Sequence, residues 1–409
     1  MTKTLSIQCD DGEFSGYLAL PAAGSGPGLV IAQEIFGINH VMKAVADKYA
    51  EEGYVVLVPD LFWRIEHGID LGYSDADMQK AFGHFGNFDP DAGTGDIQAA
   101  INALRAAPEC TGKVGVLGFC LGGLLAYLAA ARTDCDAAVG YYGVGIEGRL
   151  DEAKNITCPT VLHFAENDQF VSKQAYASIE KSLAGHDHIT TYLYPGVDHA
   201  FAREGEDHYH RPSAWVAHSR TLAALKAVMG PNYDLEALWD MHTKAEFEDR
   251  DAGATMKTMV KDCYVNHMPT MTGGVGEKEL HRFYKNHFIP TLPADIAMTP
   301  ISRTVGADRL VDEFILTCTH DVEIDWMLPG IPPTGKKIEV PTIVIVCFRG
   351  DKLYHEHIYW DQASVLVQIG LLDPATLPVA GAATARKALD ETQPANTLMK
   401  RWKTSEGKD

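Results

Sequence analysis

One hexapeptide constrains this chain more than any other stretch: Gly118-Phe119-Cys120-Leu121-Gly122-Gly123. It directly follows residues 113–117, which read as a strand, and directly precedes the apolar residues 121–131, which read as a helix. A strand that becomes a helix within one residue leaves no room for side chains beside the bend, so glycines must flank the apex. The G-x-S-x-G form of this turn lifts a nucleophile above the sheet, and here the apex residue is Cys120. The amides that open the following helix, and its positive dipole end, favour a thiolate and a developing oxyanion. The N–H of Leu121 is one expected donor. A buried structural cysteine beside a glycine-rich turn is the plainer reading of the same residues.

The surroundings supply the sheet that such a turn needs. Residues 28–32, 54–58, 137–141, 160–164 and 190–194 read as further strands, and 5–9 with 14–20 as a hairpin. Between them, 39–52, 97–106, 172–183 and 215–228 read as helices. The alternation predicts an α/β domain with a mostly parallel sheet covered on both faces. At 409 residues the chain exceeds what one core usually supports, so a second domain is expected. The rhythm changes at Gly230-Pro231-Asn232. Helices are expected over 233–249, 254–264 and 277–288, then long strands over 296–304, 309–319, 341–349 and 352–359, with a hairpin turn at Arg349-Gly350-Asp351. This predicts an α+β domain over 231–385 after a first domain over 1–230, and a tail over 386–409 that wraps the surface or moves.

If Cys120 is a nucleophile, an acid and a histidine should follow it in that order, each after a strand. Asp168, in Ala165-Glu166-Asn167-Asp168, follows the strand at 160–164. His199, in Gly196-Val197-Asp198-His199-Ala200-Phe201, follows the strand at 190–194. Either alone reads as an ordinary loop residue; together, in order and at strand ends, they read as a triad. Glu34, after the strand at 28–32, would face the same mouth, where a carboxylate could hold or take a thiol proton. The N–H of Ile35 is placed to be the second oxyanion donor.

These segments together resemble the dienelactone hydrolase (carboxymethylenebutenolidase) family. The residues that carry the resemblance are 33–37, 118–123, 165–168 and 196–203, with Tyr141-Tyr142-Gly143 and Gly93-Thr94-Gly95-Asp96 in support. It implies an α/β-hydrolase fold and a Cys120–His199–Asp168 triad that works through an acyl-enzyme. It also implies a resting hydrogen bond between Cys120 and Glu34, and a place for Tyr142 at the substrate. Arg203 matches a family arginine that holds a substrate carboxylate. A second family arginine is missing: residues 75–88 contain none, and Lys80 is the candidate replacement, although a point charge does not substitute for a guanidinium fork. The C-terminal domain resembles the SnoaL-like branch of the cone-shaped, nuclear-transport-factor-2-like fold, with His267, Asp325, Glu356 and Tyr359 as candidate pocket liners. Its expected role is homodimerisation or ligand binding. His355 and His357 share a strand face but lack an evident third ligand.

A formal net charge of -20 argues against nucleic acid and anionic membrane as partners. Eight scattered cysteines without a C-x-x-C pair, and no leader-like or membrane-length apolar run, predict reduced thiols and a cytoplasmic protein. No cofactor and no metal is expected. The leading expectation is a hydrolase of a small carboxylated lactone or activated ester. A broader carboxylesterase, and a small-molecule binding protein using the second domain, are the alternatives; an isomerase or cyclase step in that domain is a third.

Overall fold

Seven consecutive buried residues, Gly26–Ala32, form the strand around which the first half of the chain is built. The computed structural model describes residues 2–408 and divides into two units, Met1–Asn232 and Tyr233–Asp409.

The first unit contains strands β1 (Thr2–Cys9), β2 (Gly12–Ala19), β3 (Gly26–Ala32), β4 (Val55–Pro59), β5 (Cys110–Phe119), β6 (Ala137–Tyr141), β7 (Thr160–Ala165) and β8 (Ile189–Tyr194). They form one sheet in the order β1-β2-β4-β3-β5-β6-β7-β8, antiparallel at the β1–β2 edge and parallel from β4 to β8. Helices α1 (His40–Glu51), α2 (Asp75–Gly86), α3 (Pro90–Ala106), α4 (Leu121–Arg132), α5 (Lys173–Leu183) and α6 (Arg211–Met229) accompany the sheet. Strands β3, β4, β6 and β7 are buried at every position, which is why their sequences run apolar without alternation. From β3 the chain steps to β4 on one side and later to β5 on the other. That reversal opens a crevice at the carboxyl ends of β3 and β5, where such sheets hold ligands.

Two local outcomes differ from the sequence expectation. Helix α3 starts at Pro90 rather than near residue 97, because Asp89 caps it by accepting from the N–H groups of Asp91 (2.8 Å) and Ala92 (3.4 Å). Helix α2 was not expected at all, yet Ser74 caps it by accepting from the Asp77 N–H at 3.2 Å.

The second unit begins with α7 (Leu235–Thr243), which runs into a wider turn over Lys244–Glu248 closed by Asp249 N–H to Lys244 O, 2.9 Å. Helix α8 (Ala252–Lys257) follows, then β9 (Met259–His267), β10 (Thr272–Val275) and α9 (Glu277–Phe283), which widens in the same way over Tyr284–Phe288. Strands β11 (Ala297–Val305), β12 (Arg309–Thr319), β13 (Lys337–Arg349) and β14 (Lys352–Trp360) complete a sheet ordered β10-β9-β14-β13-β12-β11. The helix expected over 254–264 therefore stops at Lys257. Residues from Met259 onward pair in parallel with β14, and this long-range ladder overrides the local helical pattern. Register shifts in β11, β13 and β14 bend the sheet around a core that includes Trp239, Phe283, Phe314 and Val340. After α10 (Gln362–Gln368) the chain forms α11 (Ala383–Leu389), which packs on β13 through Ala385 and pairs Arg386 with Glu339 at 3.0 Å. No described helix is long and apolar enough to cross a membrane.

Candidate active site

Cys120 stands at the apex between β5 and α4 with φ 57° and ψ -114°, a region that L-residues avoid. Its neighbours explain how the chain reaches that conformation. A Cβ on Gly118 would lie 1.8 Å from the Gly122 carbonyl oxygen, and one on Gly122 would lie 2.1 Å from that of Ala32. The turn is pinned by Cys120 N–H to Tyr141 O (3.0 Å) and Gly122 N–H to Gln33 O (3.1 Å). Only glycine permits this approach of β3, β5 and α4. Cys120 thereby lines a cavity of about 100 Å³, with Ile35, Phe36, Phe82, Phe170, His199 and Arg203 among the other walls.

His199 and Asp168 arrive from the ends of β8 and β7. Asp168 Oδ2 is 2.9 Å from His199 Nδ1, and Asp168 Oδ1 accepts from the N–H groups of Phe170 (2.8 Å) and Val171 (3.1 Å). The carboxylate is thus fixed by its own loop and fixes the imidazole in turn. Tyr142 and Phe170 hold the ring between them, each with its centroid 4.8 Å away. His199 Nε2 has no hydrogen-bond partner of acceptable geometry. Burial opposes the imidazolium, but the coulombic interaction with the neighbouring Cys120 and the bond to Asp168 outweigh it and lift the pKa to about 10.

Glu34 is 1% exposed and Arg203 8%. They meet through two bonds, Arg203 Nε to Glu34 Oε2 at 3.0 Å and Nη2 to Oε1 at 2.8 Å. The guanidinium also lies over Tyr73, with its carbon 4.5 Å from the ring centroid. The expected resting contact between Glu34 and Cys120 is therefore replaced by a Glu34–Arg203 fork. A buried carboxylate gains two charge-assisted bonds from the guanidinium where a thiol offers one weak donor.

The remaining sequence candidates divide. Ile35 lines the cavity, and the N–H of Leu121 opens α4, so it has no acceptor within its own helix. Tyr142, buried with φ 38°, packs behind His199 and is not among the lining residues. Lys80 is exposed and also not among them. Helix α2 turns Met78, Phe82 and Phe85 to the cavity, and two residues after Met78 a helix has rotated Lys80 to the far side. Arg203 is the one arginine or lysine on the described wall. The apolar liners of α2 went unnoticed in the sequence; their spacing of four and three, behind the Ser74-x-x-Asp77 cap, is the signal that would have found them.

In the second unit, His267 and Glu356 line a separate cavity, whereas Asp325 and Tyr359 do not. Asp325 instead meets the half-exposed His287 at 2.6 Å, and Tyr359 is exposed. Strand alternation puts His355 and His357 on the face opposite Glu356, their ring centroids 4.8 Å apart, and no third ligand joins them among the described residues.

The family model of the dienelactone hydrolase family matches residues 14–229. The chain belongs to that family. This member carries a second match, to the SnoaL-like polyketide cyclase family, over residues 241–369. A relative from Azospirillum brasilense is 42% identical over 226 residues, covering 54% of this chain and 96% of its own length. Carboxymethylenebutenolidase of Pseudomonas sp. (strain P51) is 38% identical over 228 residues, 55% of this chain and 95% of that protein. Carboxymethylenebutenolidase 1 of Cupriavidus pinatubonensis (strain JMP 134 / LMG 1197) is 36% identical over 222 residues, 54% and 94% respectively. The first unit of this dienelactone hydrolase family member is accordingly a hydrolase of the ester- and lactone-cleaving kind.

Proposed function

We propose that the first unit opens a small carboxylated lactone through a thioester on Cys120. The observation that carries this reading is the shared cavity: Cys120 and His199 line one chamber, with Asp168 holding the far nitrogen of the imidazole. In the proposed cycle the substrate carboxylate competes for Arg203 and releases Glu34, which takes the thiol proton. The sulfur then bonds to the lactone carbonyl carbon, the ring C–O bond breaks, and the electron pair leaves as an enolate. The N–H groups of Leu121 and Ile35 are the donors for the tetrahedral oxyanion. Acylation removes the Cys120 contribution that keeps His199 protonated, so His199 can take a proton from the water that cleaves the thioester; the imidazolium then returns a proton to the departing sulfur, and Glu34 passes its proton to the enolate. A lactone with a stabilised leaving group suits this chemistry, because a thiolate is itself easily expelled from the adduct.

The test compares a dienelactone with neutral p-nitrophenyl esters on wild type and Cys120→Ala. Loss of turnover in a folded Cys120→Ala protein, with selective alkylation of Cys120 in wild type, supports the reading. Turnover that survives the substitution ends it. If neutral esters are cleaved as well as dienelactones by wild type, the broader carboxylesterase reading takes its place.

A further inference from the structure

The second unit holds a cavity of about 40 Å³ with largely aromatic and aliphatic walls. Two carboxylates interrupt that lining: Glu246, 4% exposed, and Glu356, 3% exposed. Directly behind them lies His242, fully buried, with Nε2 3.1 Å from Glu246 Oε1 and 3.1 Å from Glu356 Oε1.

The hydrogen bonding of the imidazole settles where its protons are. The Thr258 hydroxyl donates to Thr255 O at 2.6 Å, so its oxygen must accept from His242 Nδ1–H, also at 2.6 Å. Nδ1 is protonated, and the lone pair of a neutral ring would point from Nε2 at two carboxylate oxygens. The three atoms converge on one point from a histidine nitrogen and two carboxylate oxygens, a donor set suited to a divalent cation. The donor atoms lie within 4.8 Å of one another. Metal bonds of about 2.1 Å imply separations of roughly 3.0–3.4 Å between neighbouring ligands, which the two 3.1 Å edges already match. Thr258 is the outer partner that a ligating histidine needs to fix its ring. A separate observation points to a bound molecule: Trp326 Nε1, on the wall of the same cavity and 3% exposed, has no hydrogen-bond partner.

We propose that His242, Glu246 and Glu356 bind one first-row divalent cation of the Zn²⁺ class, with its open coordination positions facing the cavity. An oxygen donor of a small, largely apolar molecule would complete the shell, with the Trp326 N–H as a second anchor. On this proposal the unit departs from the sequence expectation of no metal.

The experiment uses the full chain, stripped with a chelator and titrated with Zn²⁺ and with Co²⁺. Wild type should hold one more equivalent of Zn²⁺ than Glu356→Gln. Thr258→Val, which keeps the three ligands but removes the outer partner, should bind about 10–100-fold more weakly. The Co²⁺ form should show a ligand-field spectrum without thiolate charge transfer, which separates this site from the cysteines. Equal stoichiometry in folded wild type and Glu356→Gln overturns the proposal, as does a spectrum carried by thiolate. Should the variants not fold, wild type alone decides: the His242 Nε2 resonance must move on adding Zn²⁺, and one that stays put overturns the proposal.

Discussion

Arg203 and Glu34 are joined by two parallel bonds of 3.0 and 2.8 Å, with both side chains almost wholly removed from water. The only arginine on the described wall of the first cavity therefore already shares two of its five N–H donors with a carboxylate, and an incoming anion must compete with that carboxylate for it.

Removing one member of that pair should be costly. Arg203→Ala strands the Glu34 carboxylate and is expected to destabilise the protein by about 3–5 kcal/mol, read from urea midpoints at constant slope. Glu34→Gln combined with Arg203→Met should recover most of the loss. A single variant as stable as wild type would mean that the pair contributes nothing. In the same variant, KM should rise for carboxylated substrates and not for neutral esters.

In the proposed cycle Asp168 acts only through His199, as a positioning residue. Asp168→Asn places an amide against Nδ1, and kcat should fall by about 10²–10⁴-fold. The two backbone bonds to Oδ1 can survive in this variant, so the fold should persist, with a melting temperature lowered by the loss of the charged partner of His199. An unchanged kcat would remove the triad.

The left-handed backbone at Cys120 stores strain that only a side chain feels. Glycine relieves it and alanine does not, so Cys120→Gly should be more stable than Cys120→Ala by about 1 kcal/mol. Calorimetry of the two variants reads this directly, and the reverse order would show that the bend is relaxed.

His199 gains a proton more readily in the folded chain, with its pKa raised from 6.5 to about 10. A raised pKa contributes stability that is complete below pH 6.5 and lost as pH climbs to about 10. The difference in melting temperature between wild type and His199→Gln should shrink across that window. A constant difference would place the imidazolium elsewhere.

The sequence made the first site legible because geometry left it no freedom. Gly118 and Gly122 cannot be anything else where three backbones meet, and Asp168 and His199 had to follow strands. Lys80 was misplaced because the helix carrying it was not recognised, and without its axis no face could be assigned. The strand Met259–His267 looked helical because its partner β14 lies far away along the chain. The same separation hid the cluster in the second unit. His242 and Glu246 alone read as an ordinary i,i+4 surface pair, and only the sheet brings Glu356 to the same nitrogen.

Met78, Phe82 and Phe85 give the first chamber a greasy flank that can return no hydrogen bonds. A polyol acid, such as a sugar lactone, would have to strip water from each hydroxyl it pressed against these side chains, at a cost of about 1–3 kcal/mol apiece. A flat, unsaturated acid carries no such groups along its length. Helix α2 thus sorts molecules of equal charge and size by what they wear between their two ends.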